Sequence, residues 1–279
     1  MELQSRVAHR LQHVPTHSAP VSAMHRFALT LRYLGHGMSF VATAHELGLG
    51  KSTVRSIVYE ECRATMDEFF AEAFPKPTRR TWEENAELFS RLWKYPRGVG
   101  SLDGKHFKVF APQKSGSTYF NYKAYFSLVL LAIVNGGYRI VSFELGGKER
   151  ESDAGLFRTS PLKRLLEACH PLFPEGADLG RRKLKTISPK LTSMSLQFAS
   201  RLIIFQRALI GSPDNCKLLI AATLVLHNLL AQRLTPQQLL ARYRRISVSA
   251  RRQNSKSQPS HDAQEQRMRM VHYFARDDL

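Results

Sequence analysis

The fold is decided by the stretch Val99-Gly100-Ser101-Leu102-Asp103-Gly104-Lys105-His106, in which an aspartate ends a short apolar run. A second aspartate occurs in Glu149-Arg150-Glu151-Ser152-Asp153-Ala154-Gly155-Leu156-Phe157, after a predicted apolar strand. Carboxylates held at strand ends by a sheet are how a two-metal phosphoryl-transfer site is built. Asp103 and Asp153 are therefore the candidate catalytic and metal-binding residues.

Both aspartates also have structural explanations. Asp103 precedes Gly104, and Asp-Gly pairs are common in turns. Asp153 is placed to be the N-cap of a helix that begins near Ala154. Glu144, on a predicted strand with apolar neighbours, is a weaker third candidate. From 179 to 213, where such a site would be completed, the sequence has no Asp or Glu.

The charge of the chain predicts a polyanionic partner. Lys and Arg outnumber Asp and Glu by 41 to 23 over 279 residues, which gives a net charge of +18. From Arg181 onward there are 18 basic and 5 acidic residues. DNA is the simplest partner of this kind, and a solvated basic tail with no specific ligand is the alternative.

Other classes of protein are disfavoured. The three cysteines, Cys62, Cys169 and Cys216, are far apart, so the sequence predicts neither a disulfide framework nor a zinc site and fits a reducing compartment. The longest apolar runs, 125–134 and 218–226, are too short to span a bilayer, and we expect an intracellular protein with no membrane partner.

The N-terminal region carries a helix-turn-helix pattern. The predicted helix Ser39-Phe40-Val41-Ala42-Thr43-Ala44-His45-Glu46-Leu47 is followed by Gly48-Leu49-Gly50 and a second helix that opens with Lys51-Ser52-Thr53-Val54-Arg55. Lys51, Ser52, Thr53 and Arg55 are the candidate DNA-binding residues, because base edges and phosphates would meet the start of this helix. A packed helical bundle without DNA contact is the alternative.

The sequence predicts an α/β chain of the α+β kind, in which a helix-turn-helix bundle precedes a sheet domain. Strands are predicted near 99–103, 106–110, 126–134 and 138–145, with Asn135-Gly136-Gly137 turning the last pair as a hairpin. Helices are predicted from Thr81, as an N-cap with Glu84 in a capping box, and near 155–168 and 213–231. We predict five segments: a flexible leader (1–24), the helix-turn-helix-like region (25–75), a linker and helix (76–98), the sheet domain (99–232, irregular over 175–195) and a basic, partly disordered tail (233–279).

Several motifs occur together in the order seen in one family. They are Leu102-Asp103-Gly104-Lys105-His106, Ser115-Gly116-Ser117 with Tyr119-Phe120-Asn121-Tyr122-Lys123, Arg150-Glu151-Ser152-Asp153 with Gly155-Leu156-Phe157, Phe198-Ala199-Ser200-Arg201, Phe205-Gln206-Arg207, Ser212-Pro213-Asp214-Asn215 and Leu226-His227-Asn228. With the helix-turn-helix, this order resembles the PIF/Harbinger-type DDE transposases. These include the domesticated Harbinger-derived nucleases and the plant antagonist-of-like-heterochromatin group.

The resemblance implies a ribonuclease H-like core in which three acidic residues bind two divalent cations, Mg²⁺ or Mn²⁺. It implies that Asp103 is a first-strand metal ligand and that Asp153 matches a second acidic position. It also implies DNA as substrate, a Myb-like DNA-binding protein as partner and a nuclear location, with the cytoplasm as a further site. The basic runs Arg181-Arg182-Lys183-Leu184-Lys185 and Arg242-Tyr243-Arg244-Arg245 are candidate import signals.

The chain departs from the family after Asp153. Family members continue with a buried strand ending in Gly-Asp and with a later helix that bears a glutamate. Here the strand is absent, as if deleted, and the glutamate's place falls near Thr192. Asp178 lies in a Pro/Gly loop, and Asp214 matches a structural cap.

The resemblance thus implies an enzyme, and the departure implies an impaired or inactive copy. One alternative is a DNA-binding or protein-interaction remnant without catalysis. Another is an active nuclease whose third carboxylate comes from Asp178, Glu144 or a partner chain. A gene fragment that never folds stably is a further alternative.

Overall fold

The structure of the protein is a computed structural model that describes residues 2–11, 20–95, 97–112, 115–116, 118–121, 123–146, 157–174 and 203–243. Its helices are α1 Glu2–Ala8, α2 Ala23–His36, α3 Phe40–Leu47, α4 Lys51–Ala73, α5 Arg79–Trp93, α6 Pro161–Cys169, α7 Pro213–Gln232 and α8 Pro236–Tyr243. Its strands are β1 Ser101–Lys108, β2 Ser127–Val134 and β3 Ile140–Leu145. Helices and an antiparallel sheet occur together, so the α+β class is confirmed.

The strands form a three-stranded antiparallel sheet in the order β1-β2-β3. The central strand β2 is almost wholly apolar, and every one of its residues is buried. One face of the sheet, with Leu130 and Ala132, packs in a core with α4 and α7. The other face, with Leu131 and Ile133, packs in a second core with α5 and α6. This two-sided burial explains why β2 reads as a continuous apolar run rather than an alternating one.

The strands predicted at 99–103 and 106–110 are one strand. The ladder between β1 and β2 runs without a break from Ser101 opposite Val134 to Lys108 opposite Ser127. Gly104 does not end the strand, because it pairs with Leu131 in the middle of this ladder. The prediction of two strands was therefore wrong.

The predicted hairpin between β2 and β3 is confirmed. The Oδ1 atom of Asn135 accepts hydrogen bonds from the backbone N–H groups of Gly137 and Arg139, each at 2.9 Å. The residue with positive φ is Tyr138, at 64°, and neither glycine of the turn has one. Gly136 instead lies against α5, where an added Cβ would be 3.0 Å from the backbone nitrogen of Phe89.

Helices α2, α3 and α4 follow one another through short capped connections. The side chains of Ser22 and Ser39 accept hydrogen bonds from the N–H groups at the starts of α2 and α3. Gly37 and Gly48 end the same two helices, each with φ of 63°. Glycine suits both positions because a left-handed residue after a helix strains any side chain with a Cβ atom.

Helix α7 joins the helices to the sheet through Asn228, which is fully buried. Its Nδ2 atom donates to the carbonyl of Ala73 at the end of α4 (2.9 Å) and to the carbonyl of Ile140 in β3 (2.7 Å). Its Oδ1 atom accepts from the Ile140 N–H at 3.0 Å. The neighbouring His227, also buried, has its Nε2 atom 2.8 Å from the Tyr138 carbonyl. The Leu226-His227-Asn228 motif is thus a structural junction.

Two predicted caps were misplaced. The N-cap of α5 is Thr78, and Thr81 is the third helical residue, whose side chain returns a bond to the Thr78 N–H in a capping box. At α7 the cap is Ser212, while Asp214 lies in the first turn and is exposed. Ser and Thr fit these places because their short side chains reach the free amides of the first turn.

The structure also differs from the predicted flexible leader. Helix α1 packs on α4, where Arg6 forms ion pairs with Glu68 (3.2 Å) and Glu72 (2.8 Å). Val7 is buried against Phe69 and Val225. Helix α8 was not predicted, and it lies at the start of the segment assigned to the basic tail. The tail beyond 243 and the predicted irregular segment 175–195 lie outside the described residues.

Candidate functional site

Asp103 lies in the middle of β1, opposite Ala132 of β2, and is half-buried. Its Oδ1 atom accepts a hydrogen bond from the Gly104 N–H at 2.9 Å. A turn at Asp103-Gly104 is excluded, because both residues belong to a continuous strand. The sheet therefore holds the Asp103 carboxylate in a fixed place, as a metal ligand would need.

Lys105 is the charged neighbour of Asp103 on the same face of β1, because side chains two residues apart on a strand point the same way. Burial lowers the pKa of Lys105, and the Asp103 carboxylate opposes this effect. The Lys105 ammonium also lies 5.9 Å from the centre of the Phe107 ring. A cation at this place offsets part of the negative charge of Asp103 that a metal ion would use.

Glu144 lies on the other face of the sheet. Asp103 pairs with Ala132 of β2, which in turn pairs with Phe143 of β3. Glu144 of β3 pairs with Leu131 of β2, which in turn pairs with Gly104 of β1. Since paired residues of antiparallel strands share a face and adjacent residues alternate, the two carboxylates point in opposite directions. Burial raises the pKa of Glu144, and Arg164 of α6 opposes the rise. Glu144 thus cannot complete a metal site with Asp103.

His106 lies on the other face of the sheet from Asp103, and its Nδ1 atom is 3.0 Å from the Ser127 hydroxyl. Its ring is half-buried beside Tyr125, because the alternation along β1 turns it to the face of the sheet away from Asp103. His106 is therefore a structural residue.

The outer edge of β1 has a short parallel pairing with Leu209. The Leu209 N–H donates to the Lys108 carbonyl at 2.8 Å, and the Phe110 N–H donates to the Leu209 carbonyl at 3.2 Å. Within the described part of the chain, this pairing stays at the end of β1 and does not reach Asp103.

The other predicted ligands are not brought to Asp103 by the described residues. Asp153, Asp178 and Thr192 lie outside the ranges that the structure describes. Among the described residues, no three His, Cys, Asp or Glu side chains are placed to hold a metal ion together. Further ligands for a metal ion at Asp103 would therefore have to come from residues outside the described ranges or from a partner.

The predicted DNA-binding residues lie at the start of α4, and all four are exposed. Three of them line a shallow cavity of about 440 Å³ on one side of the helix. The cavity is formed by Lys51, Ser52, Arg55, Ser56, Tyr59 and Arg63. Thr53 does not line it. Tyr59 and Arg63 were not predicted as site residues, although their spacings of four and eight residues from Arg55 place all three on one face of a helix.

Comparisons with known proteins identify one part of the chain. Residues 102–182 match the family described as DDE superfamily endonuclease. The match begins at β1, includes Asp103 and all of β2, β3 and α6, and covers less than a third of the chain. Neither a curated protein nor a solved structure gives a significant match. This segment is therefore similar to a DDE superfamily endonuclease. Separately, none of the helices in the described ranges is long and apolar enough to cross a membrane.

Proposed function

We propose that the protein is a Harbinger-type DDE transposase relative whose ancestral activity is divalent-metal-dependent cleavage of DNA and whose own catalytic activity is impaired or lost. The observation that carries the proposal is the position of Asp103, in the first strand of a segment that matches a DDE endonuclease. A ribonuclease H-like arrangement of the sheet is part of the proposal, supported by the antiparallel β1-β2-β3 order with helices on both faces.

The proposed loss of activity rests on the missing acids. In a two-metal site, divalent ions bound by carboxylates activate the nucleophile and stabilise the leaving oxygen. Asp103 and Asp153 are the proposed ligands. The sequence supplies no Asp or Glu from 179 to 213, and Glu144, one of the three proposed substitutes, lies on the face of the sheet away from Asp103. We propose that the strand that would carry the next carboxylate has been lost by an internal deletion.

A second function, DNA binding without catalysis, is favoured by the basic surface of α4. We propose that α3 and α4 form a helix-turn-helix in which Lys51, Ser52, Thr53 and Arg55 contact DNA. All four side chains are exposed, and the net charge of +18 favours a polyanion. A Myb-like partner and a nuclear location are further proposals from the family resemblance, and a fluorescent fusion would distinguish the nucleus from the cytoplasm.

The decisive experiment is cleavage of supercoiled plasmid and terminal-repeat DNA with Mg²⁺ or Mn²⁺. The wild-type protein is compared with Asp103→Asn, which keeps the shape of the side chain, and with Glu144→Gln, a matched change on the opposite face. We expect a folded protein with no cleavage above background. Cleavage that Asp103→Asn reduces by about a thousand-fold while Glu144→Gln leaves it intact would overturn the proposed inactivity and show that other acids complete the site.

A further inference from the structure

The cavity on α4 extends the basic surface well beyond the start of the helix. From Lys51 to Arg63 the helix rises by about 18 Å, or rather more than three turns. Lys51, Arg55 and Arg63 are exposed along this length, and the hydroxyl groups of Ser52, Ser56 and Tyr59 lie between them. One strand of a DNA duplex places a phosphate about every 3.4 Å along its axis, so a surface of this length can meet more than one phosphate.

Tyr59 positions the middle of this surface. The Arg55 guanidinium lies over the Tyr59 ring, 5.7 Å from its centre. The Tyr59 hydroxyl donates to the Ile210 carbonyl at 3.4 Å, and burial raises the pKa of Tyr59, so the phenol stays neutral. The Tyr59 ring also packs edge-on against Phe40 of α3, 5.8 Å between centres. A rigid aromatic base thus limits where Arg55 can point.

The acidic groups nearby are either paired or at the end of the surface. Glu60 accepts a hydrogen bond from Ser56 at 2.6 Å and forms an ion pair with Arg26 at 2.5 Å, so its charge is compensated by a residue of α2. Asp67, one turn beyond Arg63, is the next acid on this side of the helix. Between Lys51 and Arg63 the lining of the cavity contains no acid.

We propose that this cavity is a binding site for the sugar-phosphate backbone of double-stranded DNA, with the duplex lying along α4 from Lys51 to Arg63. Arg55 and Arg63 contact phosphates, Lys51 adds a third charge, and Tyr59 positions Arg55. Such contacts hold DNA without reading its sequence. The proposal deepens the proposed DNA-binding function, because it adds Tyr59 and Arg63 and assigns a backbone role to the side of the helix rather than to its first turn.

The test is binding of two unrelated fluorescent 20-bp duplexes to the full chain in EDTA, from 50 to 300 mM salt. We expect Arg63→Gln to weaken binding of both duplexes by about 5- to 10-fold near 0.1 M salt and to lower the slope of log K against log salt by about 0.9. Arg63→Lys should keep most of the affinity. Arg91→Gln, which removes an exposed arginine of α5 outside the cavity, is the matched control and should bind as the wild type.

Tyr59 is tested as a positioning residue. Tyr59→Phe removes the bond to Ile210 but keeps the ring under Arg55, so affinity should fall by less than about 3-fold with an unchanged salt slope. Tyr59→Leu removes the ring and should reduce the slope, because Arg55 is no longer directed at a phosphate. Equal slopes for wild type and Tyr59→Leu would contradict this role.

The outcomes separate this proposal from the proposed function. Binding in EDTA needs no metal, so absence of cleavage does not affect it. If Arg63→Gln binds DNA with the affinity and the salt slope of the wild type, the α4 backbone site is overturned. The proposed DNA-binding function would still stand. Tight binding of an acidic polypeptide such as poly-glutamate, with no binding of either duplex, overturns it in favour of an acidic protein partner.

Discussion

At the scale of single residues, Glu61 is an unfavourably placed ionisable group. It is 1% exposed, in the interface between α2 and α4, and both of its carboxylate oxygens lack a hydrogen bond. Arg26 is the nearest cation, with Nε 3.5 Å from Oε1, but its Nη2 atom is bonded to Glu60. Burial accordingly raises the pKa of Glu61 to about 7, and Arg26 only partly opposes the rise.

This raised pKa predicts a loss of stability with rising pH. Between the ordinary value near 4.5 and about 7 the folded protein binds the Glu61 proton more tightly than the unfolded chain does. The stabilisation is therefore complete below about pH 4.5 and lost as the pH rises to about 7, with an upper limit of about 3 kcal/mol.

Glu61→Gln, which cannot ionise, should flatten this part of the curve of unfolding free energy against pH. The measurement is urea unfolding at half-unit pH steps from 4.5 to 8. Glu84→Gln, at an exposed carboxylate of α5, is the control and should leave the slope in place. A wild-type slope retained by Glu61→Gln would show that another group is responsible.

At the scale of elements, the helices and turns that depend on neighbouring residues could be predicted from the sequence. Elements that depend on contacts between distant residues could not. The hairpin and α7 follow from a turn signal and a long apolar pattern. The single strand β1 does not, because Gly104 resembles a strand end until its pairing with Leu131 is known. Helix α1 reads as a leader, since its pairing of Arg6 with Glu68 spans 62 residues.

The β2–β3 turn gives a prediction at this scale, because its two glycines differ in their surroundings. A Cβ atom on Gly136 would lie 3.0 to 3.2 Å from α5, and two of its three nearest atoms belong to the backbone. A Cβ atom on Gly137 would meet nothing closer than 3.5 Å. Gly136→Ala should therefore force the hairpin away from α5 and lower the free energy of unfolding by about 1 to 3 kcal/mol.

Gly137→Ala is the adjacent control, and we expect a change within about 0.5 kcal/mol. Thermal unfolding followed by circular dichroism distinguishes the two variants. Similar melting temperatures for both would mean that α5 can move aside at no cost.

At the scale of the whole molecule, one buried cluster contains residues of the helix-turn-helix-like region and of the sheet. Leu34 and Phe40 belong to it, as do Phe107 and Leu128. The predicted segment boundaries remain predictions, but this packing means that the helices and the sheet stabilise each other. The sequence shows that the acids expected after Asp153 are missing. It does not show which other carboxylate could take their place, because that depends on contacts between distant residues.

Asn228 allows this mutual support to be tested. Asn228→Ala leaves polar groups of Ala73 and Ile140 buried without partners, so the free energy of unfolding should fall by about 2 to 4 kcal/mol. Gln232→Ala on the same helix is the matched control. Its amide donates to the Glu72 carbonyl at 3.1 Å, but at an exposed position, and its loss should change stability by less than about 0.5 kcal/mol.

The two variants are followed by far-ultraviolet circular dichroism and by the fluorescence of Trp82 and Trp93, both on α5. We expect the two signals to shift together in Asn228→Ala. Separate transitions would contradict the coupling of helices and sheet.

The burial of the cysteines turns them into natural reporters of opening. Cys62 and Cys216 lie in the core between the sheet and α4, and Cys169 lies in the core on the opposite face. Burial raises the pKa of Cys62 to about 12 and of Cys216 to about 11, which suppresses the reactive thiolate. Alkylating reagents should therefore modify these thiols slowly in the folded protein and faster when the core around them opens. The labelling rate of each cysteine then reports how often the core around it opens, and no engineered probe is needed.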